Sequence, residues 1–490
     1  MKQILFFISL FFLSITKISA LMPKNEIRAV WLTTNYALDW PTKPFTTLED
    51  IDKQKEELVN ILCCLKKTNF NIVFFQTRLR GNVVYDSKVE PLSPFIRNKG
   101  YKVTYDPLAF AIEECHKLGL ECHAWFVTYL LGAAEVKGED NCSLVVKCNQ
   151  LQTRIYKGEI YLDPGDLETD RYLLSIVEEI VDKYDVDGIH MDYIRYPEKP
   201  TEFPDDITYK YYGKGKNKTE WRKDNINRFV SRLYDMVKGK KPWVQVSSAV
   251  VGIYTRKLGD NKKYWTANEV YQDPEQWLRM GKHDFIVPMM YYSGNLFFPF
   301  VQDWQARSYG RFVVPGIGIY RMDEKDSNWD VQTVTEQIKS SRQHNTGGNA
   351  FFRANYLIGN KKGIRDEIKN NFYVYPALLP PLTWLKRTIP ASPKHLQLTT
   401  LNDSVSLSWE SVECFEKENM FYNVYYSKSK YIDIYDVSNL VATRVSSNTL
   451  SIPIDTSQID GCYYAVTSYD RYHNESEISE PVYFKANFEN

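Results

Sequence analysis

One pattern dominates this sequence: from residue 27 onward, short apolar runs alternate eight times with amphipathic stretches of helical period. Such alternation predicts βα units with parallel strands, and eight is the number that closes a (β/α)₈ barrel. The predicted strands are Arg28–Leu32, Asn71–Gln76, Glu121–Val127, Gly188–Asp192, Val244–Ser248, Phe285–Met290, Phe312–Gly316 and Asn349–Phe352. The predicted helices cover about 50–67, 107–118, 169–183, 221–238, 273–280, 297–307, 330–344 and 361–371.

The connections differ in length on the two sides of the predicted sheet. Helix-to-strand links are short, whereas long strand-to-helix links follow strand three (129–168), strand four (193–220) and strand five (249–272). This asymmetry predicts that function lies at the rim where the strands end. A doubly wound open sheet is the alternative, but it would normally carry a Gly-rich first turn, and strand one continues as Ala29–Thr34 without one.

The pattern changes after residue 375. Five prolines between 376 and 393 predict a stiff linker, and 394–490 contains short runs of period two. These runs predict a small all-β sandwich of the immunoglobulin class. The stretches Tyr422–Tyr426 and Tyr463–Arg471 resemble two strands of fibronectin type III domains, with Trp409 at the place of their conserved tryptophan. Such a module serves as a spacer or docking unit, and sugar binding is the alternative role.

The first twenty residues have the features of a signal peptide. Lys2 is followed by an apolar run from Ile4 to Ile15, and Ile18-Ser19-Ala20 resembles a cleavage site. The run is shorter than the roughly 20 residues of a membrane span. We therefore expect export to the periplasm or the extracellular space, a barrel over 25–375, and no membrane span in the mature chain.

The number and spacing of the cysteines and the net charge limit the disulfides, metal ions and macromolecular partners that we expect for this chain. Export permits disulfides, and of eight cysteines Cys142 and Cys148 are the best candidates for a bridge, while Cys63, Cys64 and Cys115 are predicted to be free thiols in helices. Zinc-type spacing is absent from the sequence, so no metal or cofactor is predicted. Equal numbers of basic and acidic residues, 61 of each, give no indication of a nucleic-acid partner.

Strand four is the most informative segment. Gly188, His190 and Asp192 alternate onto one face, and Asp192 ends the strand where a barrel would open to its substrate. A carboxylate at that position predicts a catalytic role. The structural alternative is a salt bridge to Arg195 or Arg78.

The segment Tyr184–Pro197 resembles the signature of the glycosyl-hydrolase-like family 10, exported bacterial relatives of glycoside hydrolases. Four other segments resemble the family: Glu26–Leu32, Phe75–Arg78, His123–Trp125 and Leu162–Gly165. Together they cover about 25–360. The resemblance implies a (β/α)₈ barrel that hydrolyses O-glycosyl bonds, with peptidoglycan or another polysaccharide as substrate. One departure is Met289, where the family commonly has glutamine.

Glycosidases generally use two carboxyl groups. Asp192 is the first candidate, as nucleophile or charge stabiliser, and Asp163 and Asp273 are candidates for the second. Both of these also fit structural roles, because Asp163 lies in a turn sequence and Asp273 precedes Pro274 as a helix N-cap would. The sequence does not decide which residue is the acid.

The candidate glycan-binding residues lie at or near predicted strand ends. Aromatic rings can stack on sugars, arginines can hold an anionic substituent, and histidines or amides can bind hydroxyl groups. Each also has a structural alternative in core or rim packing. The candidates are Gln76, Arg78, His123, Trp125, His190, Tyr193, Arg195, Tyr291 and Tyr292, with Trp31 and Arg80 nearby.

Two other functions remain open from the sequence. A barrel that binds glycans without hydrolysing them would explain the uncertain second carboxylate. A metal-dependent hydrolase could use His190 and Asp192 as ligands, although strand one lacks the His-x-His pair common in such enzymes. The oligomeric state is not predicted.

Overall fold

A computed structural model describes residues 22–98, 100, 105–134, 153–255, 264–401, 403–413, 420–454 and 461–485. The predicted signal peptide and the Cys142–Cys148 pair lie outside these residues. Eight parallel strand positions form a closed barrel, in the order β1-β2-β4-β8-β9-β10-β11/β12-β13 and back to β1. These strands are β1 (Ile27–Leu32), β2 (Ile72–Leu79), β4 (Glu121–Val127), β8 (Gly188–Asp192), β9 (Gln245–Val251), β10 (Phe285–Met289), β11 (Phe312–Val313), β12 (Gly316–Ile317) and β13 (Gly348–Phe351). The predicted barrel is confirmed.

Helices surround the barrel and follow the strands as predicted. Most begin at an Asp, Asn or Thr whose side chain accepts a hydrogen bond from a first-turn amide, as at Thr47, Asp106, Asp166 and Asn217. The helices are α1 (Leu48–Lys67), α2 (Pro107–Lys117), α3 (Leu167–Lys183), α4 (Asp206–Tyr212), α5 (Lys218–Lys240), α6 (Pro274–Arg279), α7 (Phe298–Ala306), α8 (Val331–Gln343), α9 (Ala354–Ile358) and α10 (Ile364–Glu367).

Alternation along the strands separates two apolar layers. On β8, Ile189 and Met191 pack outward with the helices, whereas the other face points into the barrel interior with Trp31 and Phe74. The interior is tightly filled: a Cβ added to Gly188 would lie 2.3 Å from Nδ1 of His123. The predicted alternation of Gly188, His190 and Asp192 therefore holds.

Four short strands lie at the end of the barrel where its parallel strands finish. β3 (Asn82–Val83) folds back on β2, and β5 (Leu130–Ala133), β6 (Thr153–Tyr156) and β7 (Glu159–Leu162) form a separate antiparallel sheet. This small sheet is built from the long segment after β4. It was not predicted from the sequence.

The C-terminal part contains two antiparallel sheets. One has the order β14-β15-β18 and the other the order β17-β16-β19-β20, and they enclose a core that includes Trp409, Tyr422 and Tyr464. The strands are β14 (Gln397–Leu401), β15 (Ser404–Ser408), β16 (Phe421–Ser427), β17 (Leu440–Val445), β18 (Thr449–Pro453), β19 (Cys462–Tyr469) and β20 (Val482–Phe484). β17 was missed from the sequence, because its apolar residues are interrupted by Thr443 and Arg444.

This C-terminal module packs against the end of the barrel where its strands begin. Arg444 donates to Glu121 and, at 2.9 Å, to Asp187, while His473 Nε2 lies 2.8 Å from Glu121 and Arg471 bonds Asp185. We call Glu121, Asp187, Arg444, Arg471 and His473 the floor cluster. Its members are buried, and the connecting segment is buried as well at Leu378, Leu379 and Leu382.

The floor cluster is strongly charged. Burial raises the pKa of Glu121, but His473, Arg444 and His123 outweigh it and hold the pKa below its ordinary range. Burial likewise raises the pKa of Asp187, and His116 and Arg444 hold it well below the ordinary value. Both carboxylates are therefore ionised and depend on their partners from the module.

Two further observations concern the state of the cysteines and the hydropathy of the helices. Cys63, Cys64 and Cys115 are free thiols, and Cys115 is buried whereas the other two are half-buried. Within the described ranges, no helix is both long and apolar enough to cross a membrane.

Candidate active site

Asp192 lies at the C-terminal end of β8, inside the rim of the barrel. The indole N–H of Trp125 donates to its Oδ2 at 3.2 Å, and the backbone N–H of Tyr193 donates to its Oδ1 at 2.7 Å. The Arg195 guanidinium is 3.8 Å from Oδ1, so this ion pair is loose. Only 7% of the residue is exposed.

Burial raises the pKa of Asp192 above its ordinary value, and Arg195, the Tyr193 amide and Trp125 only partly offset this effect. A carboxyl group with a raised pKa holds its proton to higher pH than an exposed aspartate. Asp192 is therefore suited to proton transfer, because a catalytic acid must be protonated at the working pH.

Aromatic rings from three strand ends line the rim beside Asp192. Tyr291 stacks on Phe352 with ring centres 5.5 Å apart, and Tyr320 meets both rings edge-on at 5.7 and 5.8 Å. Burial and then the charge of Asp192 raise the pKa of Tyr291 well above its ordinary value. These rings offer flat apolar surfaces of the kind on which sugar rings stack.

Tyr193 and Arg195 form the side of the site contributed by the loop after β8. The Arg195 guanidinium lies 4.4 Å from the centre of the Tyr193 ring. Tyr193 has φ 49°, a left-handed conformation that is uncommon for a bulky residue and is found preferentially at functional sites. The structure thus brings Asp192, Trp125, Tyr193, Arg195 and Tyr291 together.

The two predicted histidines lie deeper, inside the barrel. His190 accepts from the Trp31 indole at 3.0 Å through Nε2, so its proton is on Nδ1, which lies 2.8 Å from the Ser247 hydroxyl. Burial keeps the pKa of His190 well below its usual range. His123 bonds Glu121 at 2.9 Å, towards the floor of the barrel. Both rings are fully buried and support the site from below.

Gln76 and Arg78 are held by hydrogen bonds at the end of β2. Gln76 Oε1 accepts from the Thr33 hydroxyl at 2.7 Å and from the Thr34 amide at 3.0 Å. Arg78 forms a fully buried ion pair with Glu90, with 2.6 Å between Nη2 and Oε1. The guanidinium of Arg78 neutralises a buried carboxylate in this geometry and does not reach Asp192.

The carboxylates of Asp163 and Asp273 both accept hydrogen bonds from nearby side chains and backbone amides. Asp163 accepts from the Thr208 hydroxyl at 2.7 Å and the Gly165 amide at 2.8 Å, pairs with Arg154 at 2.9 Å and is fully buried. Asp273 caps α6 by accepting from the Gln276 amide at 3.3 Å. It also accepts from the Tyr254 hydroxyl at 3.2 Å.

Tyr292 and Met289 lie on the strand-six side of the rim. The Tyr292 ring packs edge-on against Tyr264 at 4.6 Å, and its carbonyl accepts from Gln337. Met289 is half-buried against the apolar interior of the barrel. An apolar side chain thus stands where the resemblance described above led us to expect an amide.

The structure adds Glu159 as a rim residue that the sequence did not suggest, and it gives Arg80 a defined neighbour. Glu159 on β7 accepts from the Tyr161 hydroxyl at 2.6 Å, and the guanidinium of Arg80 lies 4.8 Å from the centre of the Tyr36 ring. Burial raises the pKa of Tyr193, Asp192 and Glu159 raise it further, and Arg195 and Arg80 lower it. Glu159 and Arg80 therefore lie within electrostatic reach of the site. Their positions follow from the small sheet β5–β7 and the β2–β3 turn.

Comparison of the sequence with known proteins identifies related glycosyl hydrolases. The glycosyl hydrolase-like 10 family model matches residues 26–315. The chain is 30% identical to glycosyl hydrolase YngK of Bacillus subtilis (strain 168), with 96% of each chain covered. It is 28% identical to glycosyl hydrolase DigH of Escherichia coli (strain K12), over 68% of this chain and 84% of that protein.

Among solved structures, the PgaB (BpsB) glycoside hydrolase domain from Bordetella bronchiseptica matches 71% of this chain and 99% of its own, with a TM-score of 0.49 and 13% identity. The family match covers more than half of the chain and includes β8, which carries Asp192. The resemblance seen in Tyr184–Pro197 is thereby confirmed, and the chain belongs to the glycosyl hydrolase-like 10 family.

Proposed function

We propose that this protein is an exported glycoside hydrolase that cleaves glycosidic bonds in a polysaccharide or a peptidoglycan glycan strand. The observation that carries the proposal is Asp192, a buried carboxylate with a raised pKa beside a wall of aromatic rings at the rim of a barrel. Active sites of this fold lie at that rim, and the family and its relatives bear glycosyl hydrolase names.

Asp192 acts in this proposal as the proton donor to the leaving oxygen, rather than as the nucleophile or charge stabiliser expected from the sequence, because burial raises its pKa. Burial favours its protonated form relative to an exposed aspartate, and the Trp125 and Tyr193 N–H groups together with Arg195 stabilise the carboxylate once the proton has gone. The rings of Tyr291 and Phe352 hold the sugar against the carboxyl group. Glycosidase catalysis requires a second carboxylate to stabilise the sugar cation or to activate water.

Glu159 is the best supported second carboxylate. It is half-buried, is oriented by Tyr161, and shares with Asp192 an electrostatic effect on the Tyr193 hydroxyl. Asp163 is less suited, because its oxygens are already bonded in a site closed to solvent. Asp273 is less suited, because it caps a helix.

We expect Glu159→Gln to reduce turnover by about 10²- to 10⁴-fold, the usual contribution of one catalytic acid or base. The glutamine oxygen can still accept from Tyr161, so the fold should be retained. The exposed Glu198→Gln on the neighbouring loop is the control and should keep wild-type activity. Unchanged turnover of Glu159→Gln would assign the role elsewhere.

One assay distinguishes the proposed hydrolase from two other functions, a glycan-binding protein and a metal-dependent hydrolase. The full chain is incubated with a panel of polysaccharides and peptide-free peptidoglycan strands, with and without a chelator, and new reducing ends are measured. We expect new ends in both conditions. Binding without turnover would favour a glycan-binding protein. Loss of turnover with chelator would favour a metal-dependent hydrolase, although both His190 nitrogens are already bonded.

The remaining parts of the chain have supporting roles in this proposal. The signal-like segment 1–20 directs export, and 394–490 forms a fibronectin type III-like sandwich after the proline-rich segment 376–393. Contacts of the floor cluster support a docking role for the sandwich, since they fix it at the end of the barrel opposite Asp192.

A further inference from the structure

Arg80 differs from the other rim arginines in its charge environment. Arg195 faces Asp192 at 3.8 Å, Arg353 pairs with Asp39 at 2.7 Å, and Arg321 pairs with Asp326 at 3.1 Å. The guanidinium of Arg80 has no carboxylate partner among the residues that the structure describes, and it packs over the Tyr36 ring. Its positive charge is therefore available to a ligand.

The surroundings of Arg80 hold its side chain in place. Its Cβ, Cγ and Cδ atoms lie within 3.5–3.6 Å of the position that a Cβ on Gly132 would occupy, so the stem runs along β5. On its other side, the Tyr36 ring is braced by Phe95, with 4.8 Å between ring centres. Tyr36 itself is 54% exposed. A charged group packed in this way is pre-organised, which reduces the entropy lost on binding.

Backbone conformation marks the same residues. Tyr36, Arg80 and Tyr193 have φ angles of 51°, 55° and 49°, in the left-handed region that non-glycine residues rarely adopt. They come from three different loops and all face the rim. Arg80 and Gly81, with φ 68°, form the two-residue turn between β2 and β3, which requires positive φ angles at both positions and presents the Arg80 side chain at the rim.

We propose that Arg80 and Tyr36 form a subsite for a sugar that carries a carboxylate, with the carboxylate bound by the guanidinium of Arg80. The planar guanidinium can donate two parallel hydrogen bonds to a carboxylate, and the exposed Tyr36 ring can pack on the sugar face. The charge of Arg80 also lowers the pKa of Tyr193, the residue that follows Asp192 in the chain. This inference deepens the proposed function and rests on it, since the subsite would select glycans with acidic sugars.

The test compares one glycan in two forms. The probes are peptide-free peptidoglycan strands, whose lactyl groups carry carboxylates, and the same strands after conversion of these carboxylates to neutral methylamides. Affinity is measured by calorimetry with the full-length Asp192→Asn protein, which prevents turnover. We expect about 10- to 100-fold weaker binding of the neutral strands, the range for loss of a charge-assisted hydrogen-bond pair.

Arg80→Gly should abolish this preference without harming the fold. Glycine adopts φ 55° without strain, so the melting temperature should equal or exceed that of the parent protein. Lys199→Gly is the matched control, because it removes an exposed positive charge at another left-handed position, with φ 55°, and should keep the preference.

Equal affinity of the parent for the two forms, no binding of either, or an undiminished preference in Arg80→Gly would overturn the subsite. Failure of the proposed function has a different signature: the wild-type protein would release no reducing ends from any glycan, whatever its affinity for the carboxylated strands.

Discussion

The Asp192→Asn protein is expected to lose turnover by about 10²- to 10⁴-fold while remaining folded, because an amide cannot donate the proton that general acid catalysis requires. The asparagine oxygen can still accept from the Trp125 indole or the Tyr193 amide, so the geometry of the rim should persist. The measurement is release of reducing ends, together with affinity for the same glycan. Affinity should change little compared with turnover.

Stability should move in the opposite direction to activity in this variant. Because burial raises the folded-state pKa of Asp192 above its unfolded value of about 3.9, ionisation of the group at neutral pH opposes folding. The neutral asparagine removes this cost, so its melting temperature should equal or exceed that of the wild type. Asp330→Asn, at the exposed N-cap of α8, is the matched control and should retain full turnover. Full activity of Asp192→Asn would refute the assignment.

The largest expected loss of stability comes from Arg444→Met. Methionine retains much of the side-chain volume but leaves Glu121 and Asp187 as buried carboxylates without this shared partner. Removal of one member of a buried ion pair typically costs about 3–5 kcal/mol. Urea unfolding of the full chain should show a decrease of this size, while exposed Arg387→Met should change the free energy of unfolding by less than about 0.5 kcal/mol.

The pH dependence of the difference in unfolding free energy between the wild type and Arg444→Met provides a second test. The pKa values of Glu121 and Asp187 are lower in the folded state than in the unfolded state, so their pairing stabilises the protein above the unfolded values of about 4 and is lost as pH falls below them. The stability gap between wild type and Arg444→Met should therefore narrow in acid. A gap that stays constant from pH 7 to about pH 3 would show that packing, rather than charge, is responsible.

Much of the barrel could be predicted because its strands differ in composition and length from its helices. The predicted bounds of β4 and β8 agree with the structure at both ends, and the other strands shift by a few residues. Strand seven is divided into β11 and β12 around Val314 and Pro315, because proline cannot donate to the ladder. The sheet β5–β7 was missed, since its strands of four residues carry too little periodicity.

The site was predictable only in part. Alternation located Asp192 at the end of β8, because a period of two follows from backbone geometry alone. The partners of each side chain depended on contacts between distant segments. Arg78 and Arg80 look alike in sequence, yet Arg78 is neutralised by Glu90 and Arg80 meets Tyr36. Glu159 was not predicted as a site residue, because its segment carries no recognisable motif.

The floor cluster has a consequence for how the chain is made. Glu121 and Asp187 are synthesised well before Arg444, Arg471 and His473, which follow them in the sequence by more than half of the given chain. Until they emerge, a nascent barrel would have to bury two carboxylates without these partners. We therefore expect the barrel to reach its full stability only once the C-terminal module has been synthesised and has docked.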